Sequence, residues 1–217
     1  LKSKIILVAL ILLTSFSGYS QTGPNAWFEF ELSKKIVKNL KAEFNPELRL
    51  TDGFRMGSYI LEGGLSYKLH SLLTIAGYYR FENEYNYREK RKIYEWEPSN
   101  RLAFDAKTGF KLDRLDFQFR LRYTNGTDSE QNAERASYFR YRAKVDYNIK
   151  GNKLLPFASA ETFHDLIAKE IEKTRYTIGA AYPINKKNEA SLFYRLQDYS
   201  NNKESIHIIG IGYSLKL

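Results

Sequence analysis

The 217-residue chain has no cysteine, three histidines, one methionine and five prolines. Without cysteine it has no disulfide scaffold, no thiolate metal site and no thiol nucleophile, and no residue in it can take the lipid anchor of a lipoprotein. Three histidines leave few candidates for a catalytic base or an imidazole metal site. Long apolar runs are also scarce. The one that stands out, Ile5–Leu13, is far short of the roughly 20 residues of a spanning helix. Lys2 and Lys4 precede it, and the small residues Gly18 and Ser20 follow. This is the pattern of a secretory signal peptide over residues 1–20, exported by the Sec route and cleaved near Ser20/Gln21, with residues 21–217 as one domain.

The net charge is +9, but basic and acidic residues are interleaved along the chain rather than gathered in a patch. A nucleic-acid partner is therefore not expected. A mean hydropathy of −0.51 argues against a helical membrane protein. It does not argue against a membrane barrel, where only alternate residues of each strand need be apolar.

That alternation dominates the chain. In Lys38–Leu50, the residues Leu40, Ala42, Phe44, Pro46, Leu48 and Leu50 share one register and Lys41, Glu43, Glu47 and Arg49 the other. Successive strand side chains point to opposite faces, so the segment has an apolar face and a charged one. The period of two recurs at Tyr59–Leu69, Leu73–Phe81, Leu102–Ala106, Leu115–Tyr123, Phe139–Ile149 and Ala190–Leu196. Several of these segments exceed the roughly five or six residues usual in soluble sheets.

A short repeat punctuates the strands. FELS, YKLH, FKLD, YNIK, YPIN and YSLK begin at Phe30, Tyr67, Phe110, Tyr147, Tyr182 and Tyr213, each with an aromatic and then Leu or Ile in the apolar register. The first five are read as standing just before short turns, so that every second strand ends alike at one rim. Rings at a fixed height suit a membrane-water interface, which makes these six residues a candidate periplasmic aromatic girdle. Longer polar connections are expected at the opposite, extracellular rim: Glu82–Arg91, Asn125–Glu134, His164–Glu172 and Tyr199–Glu204. The expected fold is all-β, an antiparallel transmembrane barrel of about 10–12 strands. Eleven candidates are countable, whereas bacterial single-chain barrels are normally even, so Trp27–Leu32 is either a short extra strand or a miscount.

The run of WFEFELSKKIVKNLKAEFNPELR, GGLSYKL, YYRFENE, FQFRLRY, YFRYRAKVDYNI, LLPFASAETF, TRYTIGAAYPINKKNEASLFYRLQ and IIGIGYSLKL resembles the Bacteroidota family called domain of unknown function 2490, over essentially all of residues 21–217. The resemblance implies an outer-membrane protein with no established activity and no catalytic residue to carry over. One departure from outer-membrane barrels at large is the last residue, Leu217 where many end in Phe. Outer-membrane lipids and lipopolysaccharide, with the barrel-assembly machinery during biogenesis, are the expected partners. No cofactor is expected, and the oligomeric state is open.

Candidate chemistry is thin. His70 falls in a turn, His164 at a strand end beside Asp165, and His207 in the lipid-facing register of Ile209 and Ile211. Ser205 and His207 share a strand face and are the one candidate pair for a lipid hydrolase, near a rim. Glu95, Glu97 and Asp105 could be imagined as a carboxylate site, but Arg101 and Lys107 alternate with them and make ion pairing the plainer reading. The charged register as a whole is more informative. Glu43, Glu47, Arg49, Glu62, Arg80, Glu82, Glu95, Glu97, Arg101, Asp105, Arg114, Asp116, Arg120, Arg122, Arg140, Arg142, Asp146, Glu161, Arg175, Glu189 and Arg195 are expected to face the lumen, where such charges must be paired or wet. About eight strands give a filled barrel and sixteen or more a channel. Two readings follow: a lumen closed by arginine–carboxylate pairs, with a structural or surface-binding role, comes first; a narrow pore favouring small anions comes second.

Overall fold

The computed structural model describes residues 25–51, 54–88, 92–128, 134–201 and 203–217. The signal segment and the centre of the Asn125–Glu134 connection lie outside them. Eleven strands form one closed barrel: β1 (Asn25–Val37), β2 (Leu40–Thr51), β3 (Arg55–His70), β4 (Leu73–Arg88), β5 (Ile93–Leu112), β6 (Leu115–Asp128), β7 (Glu134–Tyr147), β8 (Leu155–Asp165), β9 (Glu170–Pro183), β10 (Asn188–Tyr199) and β11 (Ile206–Lys216). Among the described residues no helix is long and apolar enough to cross a membrane.

The eleven candidates are real, and the expectation of an even number is what gives way. Consecutive strands pair antiparallel, and the barrel closes through a parallel ladder between β1 and β11. With an odd number of up-and-down strands, the first and last run the same way and can only meet in parallel. The repeat itself forms this seam: Phe30 lies opposite Tyr213, Leu32 opposite Leu215 and Ser33 opposite Lys216. β1 is thus a full strand, not a short extra one. FELS, however, does not end it. Four more residues lead to Val37 before the turn, so Phe30 sits inside the strand while the other five repeats end theirs. The β1–β2 ladder breaks between Glu29↔Glu47 and Leu32↔Phe44, around Pro46, which has no amide hydrogen to give.

Three turns on the aromatic rim hold two residues, Lys38–Asn39, Ser71–Leu72 and Asp113–Arg114. Asn39 and Asp113 adopt φ of 69° and 50°, a left-handed conformation these side chains tolerate well. Opposite, much of what the sequence offers as loop is paired strand. β4 runs to Arg88 and β6 to Asp128, and the β4–β5 ladder continues to Arg88↔Ile93. Glu82, expected to open a loop, is buried inside β4, and His164, Asp165 and Glu170–Glu172 belong to β8 and β9. The extra reach of this far rim is carried by extended hairpins as much as by loops.

Candidate functional site

The barrel puts the apolar register outside and the charged register inside. Leu61, Leu65, Tyr79, Leu102, Phe104, Ile178 and Leu192 are exposed on the outer wall, while Glu62, Asp105, Arg122, Arg140 and Glu161 are buried within. Of the six predicted girdle residues, Phe30, Tyr67, Phe110, Tyr147 and Tyr182 are exposed. Tyr213 is half-buried and donates to Asn188 Oδ1 at 2.6 Å.

Inside, ion pairs run within and between adjacent strands, and others, Arg49–Glu82, Arg122–Glu62 and Arg120–Glu161 among them, bridge strands that are not neighbours. Arg49 reaches Glu47 at 2.7 Å and Glu82 at 3.1 Å, and Arg101 meets Glu82 at 3.5 Å. Glu62 is shared by Arg80 at 2.9 Å and Arg122 at 3.0 Å, and Arg122 continues to Asp105 at 2.6 Å. Glu161 is shared by Arg120 at 2.6 Å and Arg140 at 2.9 Å. Each guanidinium offers donors in a planar fork, so one arginine can hold two carboxylates and a layer can be knitted together. Aromatic side chains in the charged register fill the gaps. The Trp27 ring lies under Arg49, Arg175 and Arg195 at 4.2, 5.1 and 5.0 Å from the guanidinium carbons, and Phe163 lies under Arg140 and Arg175 at 4.4 and 4.7 Å. Tyr78 donates to Glu43 and accepts from Lys107.

This layer divides the interior. On the side of the short turns lies a cavity of about 770 Å³ that reaches from Ser71, Leu72, Lys111 and Ser214 at the rim to Trp27, Arg49, Arg80, Arg140 and Arg175. Beyond those four arginines, toward the far rim, is a void of about 30 Å³ lined by Glu82, Arg101, Tyr138 and Lys173 among others. The void has room for about two waters. Arg49, Arg80, Arg140 and Arg175 line both spaces and form the floor of the larger one, a cup on the short-turn side. Glycines shape its wall: a β-carbon on Gly210 would lie 2.0 Å from the Phe193 ring, so that ring can lie flat against β11 only because Gly210 has none.

A family profile described as "Protein of unknown function (DUF2490)" matches residues 24–206. The chain belongs to this family. No curated protein matches it. The DUF2490 match starts just before β1 and reaches the first residue of β11, so it contains every charged residue of the floor. The family description names no activity.

Of the predicted lumen residues in this DUF2490 chain, Arg114 is misplaced: it occupies the exposed Asp113–Arg114 turn, since the β5–β6 hairpin turns one residue before the charged register resumes at Asp116. Asp116, Asp146 and Glu189 are in the right register but at the cup's mouth, where Asp116 pairs with the exposed Lys111 at 3.4 Å and Asp146 with Lys144 at 2.7 Å. Glu95 and Glu97 sit farther along β5, in its stretch toward the far rim, while Asp105 is held by Arg122 and Lys107. The Ser205 and His207 side chains are engaged separately, Ser205 donating to Asp198 at 2.6 Å and His207 Nδ1 meeting Tyr194 Oη at 2.6 Å. His207 is exposed on the outer wall, in register with Ile209 and Ile211. Sequence reasoning overlooked the aromatic members Trp27, Tyr78, Phe163 and Phe193. The signal was there, since each stands in the charged register of its strand.

Proposed function

We propose that this DUF2490 protein is an integral outer-membrane barrel with a closed lumen, serving a structural or binding role rather than passive diffusion. The observation that supports the reading is the ion-pair floor, with a void of about 30 Å³ on its far side among the described residues. The outer wall supports a lipid setting: exposed Leu, Ile, Phe and Tyr in strict alternation are what a barrel presents to a bilayer. The aromatic strand ends suit the periplasmic interface, with the short turns and the mouth of the cup on that side and the long hairpins outside. Outer-membrane lipids, lipopolysaccharide and the assembly machinery are the partners that go with this location.

A passive pore favouring small anions is the weaker reading, because a solute would have to break several arginine–carboxylate pairs to pass. Lipid hydrolysis at Ser205 and His207 is weaker still, because each side chain is committed to another partner. Purified protein in planar bilayers tests the closed reading: it should give no discrete conductance steps under moderate voltage, and reproducible open-channel steps would overturn it. Unboiled protein on denaturing gels should migrate differently from boiled protein; a band that never shifts would count against the membrane barrel.

A further inference from the structure

One wall of the cup carries more positive charge than the protein neutralises. Across β6 to β10 the ladders set Arg120, Arg142, Glu161, Arg175 and Gln197 side by side in one transverse row. Lys107 on β5 extends the row beyond Arg120. In the adjacent row Arg122 lies directly opposite Arg140. Like charges directly opposite on a ladder are destabilising unless something neutralises them. Elsewhere the lumen meets this need itself: Arg80 and Arg101 are also opposite each other, and Glu62 and Glu82 answer them.

Here the supply falls short. Glu161 is the single carboxylate in the row, and Arg120 and Arg140 already bind the same oxygen, Oε1. Arg175 turns its Nε to the neutral Gln197 at 2.6 Å. Arg142 lines the cavity and makes no hydrogen bond or ion pair among the described residues. Arg120 Nε is buried without a hydrogen-bond partner. Arg142 thus presents a guanidinium with no carboxylate of its own to the cavity, and an anion there could take both its fork and that of Arg120.

We infer that the row built on Arg120, Arg142 and Arg175 binds a small soluble dianion, a phosphate or dicarboxylate, entering the cup from the short-turn rim. Two negative charges would match the surplus around Glu161, and oxygens of a compact tetrahedral or carboxylate group can take two guanidinium forks at once. The inference takes from the closed-lumen reading only that the bound anion is held in the cup and not passed on; binding at the row is tested apart from closure.

Trp27 supplies the probe. It is one of two tryptophans, and Trp96→Phe leaves it alone, under Arg49, Arg175 and Arg195. The full chain, folded in detergent, is titrated with inorganic phosphate at ionic strength held constant with chloride. Phosphate should change the Trp27 fluorescence saturably. Arg142→Gln and Arg120→Gln should each raise the half-saturation concentration at least tenfold, Arg142→Lys should weaken it less, and Lys203→Gln near the far rim should leave it unchanged. If a variant fails the heat-mobility check for folding, thermal unfolding of the parent chain decides: phosphate should raise its Tm where equal ionic strength of chloride does not. A response no larger than that to chloride, or one that Arg142→Gln leaves within twofold, overturns the site. Vesicles containing phosphatidic acid should give no matching response, because a headgroup tied to acyl chains cannot follow into the lumen; a stronger response to them than to free phosphate overturns the soluble ligand. Conductance in bilayers with a normal titration would sink the closed lumen and spare the site, and a silent bilayer with a flat titration would do the reverse.

Discussion

At the scale of single residues, the interior is held by ion pairs in which Glu62, Glu82 and Glu161 each serve two arginines. Such pairs gain little over a well-packed apolar replacement, but removing one partner strands a buried charge. Glu161→Gln, which leaves Arg120 and Arg140 without their shared carboxylate, should destabilise the folded barrel by about 3 kcal/mol, read from the urea midpoint of unfolding. Lys111→Gln touches only the pair with Asp116, whose side chains are 78% and 36% exposed, and should move the midpoint hardly at all. Equal effects of the two would deny that the inner network carries stability. Gly210→Val would force the Phe193 ring off the wall and should cost about 1–3 kcal/mol in the same measurement. Much at this scale was legible in advance. Alternation assigned Glu43, Glu62, Asp105, Arg122, Arg140 and Glu161 to one face, and they share it. It did not say that Trp27 or Phe163 would lie beneath guanidiniums, since a ring among charges looks like an exception until the opposite wall is known.

At the scale of elements, the parallel β1–β11 seam is the feature that sets this barrel apart from the even-numbered pattern. It makes a sharp register prediction. Phe28 and Ile211 lie opposite each other on the outer wall, and the chain has no native cysteine. Phe28→Cys with Ile211→Cys should cross-link efficiently under mild oxidation, giving a band of altered mobility on a reducing-agent-free denaturing gel. Phe28→Cys with Leu215→Cys, four residues out of register, should not. Efficient linkage of the second pair and not the first would rule out the seam as described. The repeat contained a hint of this pairing, since FELS and YSLK run in the same direction and align residue for residue. What hid it was the position of FELS within β1, as a strand's end depends on where its partner's hydrogen bonds stop and not on its own composition.

For the whole molecule, the decisive feature is the floor of the cup. Arg49 and Arg175 both line the cavity and the small void beyond it. Replacing both with alanine removes two bulky guanidiniums from between them, so Arg49→Ala with Arg175→Ala should convert a silent barrel into one with discrete conductance steps. A double variant that folds, shifts on boiling and stays silent would place the closure elsewhere. The sequence by itself determined the all-β class, which side chains within a strand share a face and the crowding of charge on one of the two faces, because a period of two is a local property of a strand. Only the tertiary structure decided that eleven strands close through a parallel seam, which arginines and carboxylates meet between strands, and that one row of arginines is left with a single carboxylate. Those outcomes depend on registers between strands and on the width of the closed barrel, which set the distances between residues far apart in the chain.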